Sequence, residues 1–156
     1  MDFADFDLKT ASEAGTTVHL EMRGRPLYAQ ADKSIGVDVT DKPCRVHLRG
    51  LMASGVYDLI KRIQRIEAAY QLRSQRVKDK EIDALLERAD EETKDLLGKL
   101  IVAAVSGWEN IIFKGKPADT SPEAVMAVCG PGTVFFEQTY QAILEKYDFL
   151  KGAANS

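Results

Sequence analysis

"CRVHLRGLMASGVYDLIKRIQRIEAAY", Cys44 to Tyr70, changes its hydrophobic period part-way along. Cys44, Val46 and Leu48 alternate with Arg45, His47 and Arg49, the period of two expected from a strand with one buried face. Gly50 ends that pattern. Beyond Ser54, the expected N-cap, the apolar positions are Val56, Leu59, Ile60, Ile63, Ile66 and Tyr70. Their steps of three and four trace one stripe along a helix, with Lys61, Arg62, Arg65 and Arg73 on the other face. Strands before Gly50 and helices after it indicate an α+β fold.

Upstream, Val18, Leu20 and Met22 alternate with His19, Glu21 and Arg23 as a further strand. "GRP", Gly24 to Pro26, breaks it, and "LYAQ" is a candidate return strand. "SIGVDVT" places Ile35, Val37 and Val39 on one face, and "DKP", Asp41 to Pro43, makes the next turn. A small antiparallel β-meander of three or four strands is therefore expected over 16–50. Residues 1–15 are expected to be a flexible segment and 151–156 a loose polar tail, flanking a single domain at 16–150.

About four helices are expected over 54–150. The second starts near Asp79 and turns Ile82, Leu85, Leu86, Ala89, Leu96, Leu97, Leu100, Ile101 and Ala104 inward, its stripe ending at Gly107 and Trp108. The polar "RSQRVKDKE" before it reads as a loop or a fraying helix end. For the third helix, Thr120 and Glu123 fit a capping box, while Ser121 and Pro122 fit an N-cap with a first-turn proline. "GPG" stops it, and a fourth helix over about 133–150 collects Val134, Phe135, Tyr140, Ile143, Leu144 and Tyr147.

With 45% hydrophobic and 29% charged residues, the composition is that of an ordinary globular protein. The net charge of −3 speaks against a nucleic-acid binder. The acidic "MDFADFDLKT" does not resemble a signal peptide, and "LIVAAV" is too short to cross a bilayer, so a soluble intracellular protein without a membrane role is expected. Cys44 and Cys129 read as reduced, buried thiols.

No catalytic constellation emerges. His19 and His47 fall on outward strand faces, and a metal shared by them would be short of ligands. "CGPGTVFFEQ" lacks the glycines and the Lys-Ser or Lys-Thr of a phosphate loop, so it reads as a helix-to-helix turn. The expected cofactor, metal and catalytic sets are empty, and an enzyme is not expected. Charge is more informative. Residues 61–80 carry seven Lys or Arg against Glu67 and Asp79, net +5, and residues 81–95 carry seven Asp or Glu against Arg88 and Lys94, net −5. The blocks read as a salt-bridged hairpin tip or as a bipolar surface that steers a charged partner.

Several pieces in this order resemble one family. They are the strand end and helix "VHLRGLMASGVYDLIKRIQR", the element "GWENIIFKGKPADTSPEAVM" and the aromatic helix "GTVFFEQTYQAILEKYDFL". Together they resemble the tail assembly chaperones of long-tailed bacteriophages, from Thr16 to Leu150. The chain departs from that pattern at "GLMAS", with one extra residue before the serine, and at Ala124, where Asn is frequent. The resemblance implies a non-catalytic protein that keeps the tape measure protein soluble, recruits tail tube protein, works in the host cell cytoplasm and is absent from the finished particle. Self-association is a further expectation. A structural virion protein, a minor tail or head-completion component, is the alternative. Trp108, Ile112, Phe113, Phe135, Phe136 and Tyr140 are the candidate partner-binding residues. Trp108 itself reads either as core closure or as part of a groove for an amphipathic helix.

Overall fold

In the computed structural model, residues 6–29, 35–36, 42–146 and 148–150 are described, without the side chains of 35 and 36. Val37, Val39, Tyr147 and the expected tail at 151–156 lie outside them. The first element is a helix, α1 (Leu8–Ala14), where a flexible segment was expected. Asp7 caps it, its carboxylate accepting from the Lys9 and Thr10 backbone N–H groups. Ser12 is buried, and its carbonyl accepts from Gly50 N–H at 2.9 Å. The packing of α1 against the β-to-α turn is what orders this end. Gly50 permits the approach: a Cβ there would lie 2.7 Å from Ser12 Oγ and 3.1 Å from Phe149 Cδ1.

The central sheet has three antiparallel strands in the order β1 (Thr16–His19), β6 (Arg45–Leu48) and β7 (Val105–Glu109). Val46 and Leu48 are fully buried on its core face, as their alternation predicts. Between β1 and β6 the chain makes small ribbons. These are β2 (Glu21–Met22) with β3 (Arg25–Pro26), and β4 (Tyr28–Ala29) with β5 (Ile35–Gly36). Arg23 and Gly24, both at positive φ, form the tight turn, so the return strand begins at Arg25, earlier than "LYAQ" suggests. Met22 is 41% exposed, because the turn lifts it off the core face that holds Leu20.

The meander alone does not make the sheet. β7 comes from beyond the long helices, in a stretch read as the end of a helix. α2 (Tyr57–Ser74) and α3 (Asp79–Ala104) form a hairpin, and α3 stops one residue before β7. The Arg49 backbone N–H donates to the Ala104 carbonyl at 2.8 Å and its guanidinium to the Ala103 carbonyl at 3.3 Å. These bonds satisfy helix-end acceptors and place a cation at the negative end of the helix. The chain then pairs Trp108 with Val46 on β6.

After β7 come the ribbon β8 (Ile112–Phe113) and β9 (Lys116–Pro117), then α4 (Pro122–Cys129) and α5 (Phe136–Leu144). Ser121 is the N-cap of α4, accepting from Ala124 N–H, with Pro122 in the first turn; of the two starts that sequence allows, this one is used. α5 ends at Leu144 where one helix running to about 150 was expected, but after a break at 145 helical backbone resumes at 146 and 148–150, and Phe149 there is fully buried. Sheet and helices share one core, with Leu20, Val46 and Leu48 packed beside Ile60, Ile63, Leu100, Ile101, Val125 and Ile143. Burial of each large side chain contributes about 1.5–3 kcal/mol. Leu86, expected inward, is 54% exposed because α3 outruns the core at its N-terminal end. Among the described residues no helix is long and apolar enough to cross a membrane.

Candidate binding site

Two concave surfaces flank α4. Its inner face, Ala124, Val125 and Cys129, is in the core. Ala127 and Val128, with Ile112, Phe113, Val134 and Phe135, line a pocket of about 310 Å³ whose floor includes Leu20, Leu27 and Cys44. Pro122 and Met126 face a more open groove against α3, of about 670 Å³, with Gly98, Val102 and Ala103 at its base. Glu91, Lys94, Asp95 and Lys99 complete its lining.

Local chemistry builds the pocket. Lys114 and Gly115, both at positive φ, turn the chain between β8 and β9, and this ribbon presents Ile112 and Phe113. Asn110, at φ 59°, makes the preceding bend. Its side-chain amide donates to the Pro43 carbonyl at 2.8 Å, and the Cys44 thiol donates to its carbonyl at 3.4 Å. At the other wall the Thr133 hydroxyl donates to the Gly130 carbonyl at 2.7 Å, closing the turn that projects Val134 and Phe135. Val134, expected on the apolar side of the fourth helix, precedes α5 and is 73% exposed at the mouth.

The six candidate residues therefore divide. Ile112, Phe113 and Phe135 meet in the pocket. Phe136 and Tyr140 stack on each other along α5 with ring centroids 5.6 Å apart, and neither lines the pocket. Burial pushes the Tyr140 hydroxyl pKa up, and the nearby Glu67 and Glu137 carboxylates add to the shift. Trp108 lines neither concavity. Half-buried on β7, it donates from Nε1 to the Ala118 carbonyl at 2.9 Å and so ties the β8–β9 ribbon to the sheet, the core-closing role. The α3–α4 groove was not anticipated. Its sequence signals are Gly98 inside a helix and the long apolar Met126 on α4: a Cβ on Gly98 would lie 2.9 Å from Met126 Cε.

The polar candidates are engaged in structure. His19 Nε2 donates to the Leu27 carbonyl at 2.7 Å, and its ring meets Tyr28 edge-on. His47 Nδ1 and Thr17 Oγ1 are hydrogen-bonded at 2.8 Å. Although β1 and β6 do pair, His47 sits opposite Thr17, not His19. Among the described residues no group of three or more His, Cys, Asp or Glu is placed to hold a metal ion. Both cysteines are free and buried, and burial raises both thiol pKa values; for Cys129 a hydrogen bond with Thr139 opposes the rise. The charge blocks carry no ion pair between them among the described residues, so the hairpin tip is not salt-bridged. Tyr70, whose hydroxyl donates to Glu92 Oε1 at 2.6 Å, links the two helices instead.

Compared with protein-family models, with curated proteins and with solved structures, the chain matches none.

Proposed function

We propose that this chain is an assembly chaperone of bacteriophage tails. It binds an amphipathic helix of the tape measure protein, helps recruit tail tube subunits in the host cell cytoplasm, and leaves before the particle is complete. It acts through surface alone, without a cofactor, and neither nucleic acid nor membrane is among its partners.

The observation that carries this reading is the pair of apolar concavities on either side of α4. An amphipathic helix docks by placing apolar side chains three, four and seven residues apart into such a groove. Met126, 40% exposed, offers a flexible and polarisable contact suited to varied partner side chains. Lys94, Lys99, Glu91 and Asp95 supply both signs of charge around the apolar base, which orients a charged helix. The order of sequence motifs adds the identity of the partner.

Co-expression with a tape measure protein tests it. The soluble fraction of that protein should rise with this chain, and Met126→Glu, at an exposed position, should cancel the rise while the melting temperature holds. A tape measure protein equally insoluble with and without the chain would sink the reading. Mass spectrometry of purified particles should find the chain absent; a fixed copy number there would assign it to the virion structure.

A further inference from the structure

Besides the stripe it turns to the core, α2 carries a second periodic stripe on its outward face. Arg62, Arg65, Ala69 and Leu72 follow one another at steps of three, four and three residues. Arg76, four further on, continues the series in the turn after the helix. At about 100° per residue the four helical positions fall within a sector of about 80°. That sector lies roughly opposite Ile60, Ile63 and Tyr70, the buried residues of α2. All five residues of the stripe are exposed, Leu72 by 60%. The spacing is that of a coiled-coil seam, with Ala69 and Leu72 in the middle layers and arginines at both ends.

The charge of this face is unbalanced. Its one carboxylate is Asp58, a turn before Arg62, and among the described residues neither Asp58 nor any of the three arginines joins an ion pair. Glu67, the other acid of α2, is turned towards α5, where it acts on the Tyr140 hydroxyl. No carboxylate stands three or four residues from Arg65. Arg62 and Arg65, themselves three apart, repel each other, a small cost that an anionic partner would remove.

We propose that the outer face of α2 docks an acidic amphipathic helix of another protein. That helix is apolar where it crosses Ala69 and Leu72 and bears Asp or Glu where it passes Arg62, Arg65 and Arg76. Charge complementarity selects the acid, because a guanidinium holds a carboxylate through two parallel hydrogen bonds. The apolar centre selects a helix over a nucleic acid. A phosphate backbone calls for cations along its whole track, whereas Ala69 and Leu72 interrupt them and supply the close layers on which a second helix packs. No residue of α2 lines either concavity beside α4, and the inference does not depend on the function proposed from them.

Two synthetic helical peptides, titrated into the full chain at low salt, test it. Both carry leucines at heptad spacing in the centre; one has glutamates and the other lysines at the flanking seam positions. The glutamate peptide should bind about tenfold more tightly or better, and added salt should weaken it. Arg62→Glu/Arg65→Glu should reverse the preference, and Leu72→Gln should weaken the glutamate peptide about tenfold. Met126→Glu should leave its affinity unchanged, which separates this face from the α4 site. Circular dichroism and melting curves establish that each variant is folded; if the arginine variant is not, the Leu72→Gln loss must still appear. No binding of the glutamate peptide, equal binding of both peptides, a preference untouched by the arginine changes, or binding lost with Met126→Glu would overturn the proposal. A duplex oligonucleotide held more tightly than the peptide and released by the arginine changes would also overturn it and assign the face to nucleic acid. A dimer of the chain broken by the same changes would overturn it in favour of a second copy.

Discussion

Gln138, on α5, accepts a hydrogen bond of 3.0 Å at Oε1 from the Glu21 backbone N–H, 117 residues before it in the chain. Its amide nitrogen donates to the His19 carbonyl at 3.1 Å. One side chain thus occupies the backbone groups on both sides of buried Leu20, as a neighbouring strand would, and fastens α5 to the first strands. Gln138→Ala is expected to destabilise the fold by about 1–3 kcal/mol, seen as a lower urea midpoint with an unchanged slope. Gln138→Glu can accept from Glu21 but cannot donate to His19, and should lose stability as well. An unaltered midpoint for the alanine variant would mean that water replaces both bonds.

Trp108 offers a second test, because its hydrogen bond and its packing can be separated. Trp108→Phe keeps a ring on β7 but loses the Ala118 bond, and should cost about 1 kcal/mol. Trp108→Ala also empties the space against Val46 and should cost about 3 kcal/mol or more. Since Trp108 lines neither concavity, partner binding by the folded phenylalanine variant should equal that of the parent chain. Thermal melts paired with a binding titration read both quantities. Weakened binding at unchanged stability would return Trp108 to the contact surface.

Acid sensitivity should come partly from Glu13. The Ser54 backbone N–H and then the Arg49 guanidinium, 2.9 Å away, hold its carboxyl below the ordinary value. A depressed folded-state pKa contributes stability that is present above the unfolded carboxylate pKa and is lost as pH falls through the lower folded value. Urea midpoints should therefore decline from about pH 5 downwards. Glu13→Gln should be less stable near neutrality and decline less steeply in acid. Parallel pH profiles for the two proteins would exclude a contribution from Glu13.

Several parts of this architecture can be read without coordinates. The alternation around Val46, the Ile60–Ile63 stripe and the Ser121–Pro122 helix start depend on neighbours a few residues away. Other parts cannot. Asp7, just before α1, is a residue type that caps helices, but a seven-residue helix is marginal without the packing that Gly50 and Phe149 supply. Of the six candidate partner-binding residues, Ile112, Phe113 and Phe135 line one pocket. Which aromatics share a pocket depends on how α4 and α5 pack, and that separated Phe136, Tyr140 and Trp108 from them.

By itself, the amino-acid sequence determined which segments are strand-like or helical, where α4 begins, and that opposite charge accumulates on successive stretches of a hairpin. Those properties follow from side-chain period, capping and composition, all local. Only the tertiary structure decided that 105–109 leaves its helix to complete the sheet, that both ends of the described chain are packed, and that α4 stands between two hollows. Each of these rests on contacts between residues distant in sequence, such as Arg49 with Ala104 and Val46 with Trp108, whose free energy no local pattern encodes.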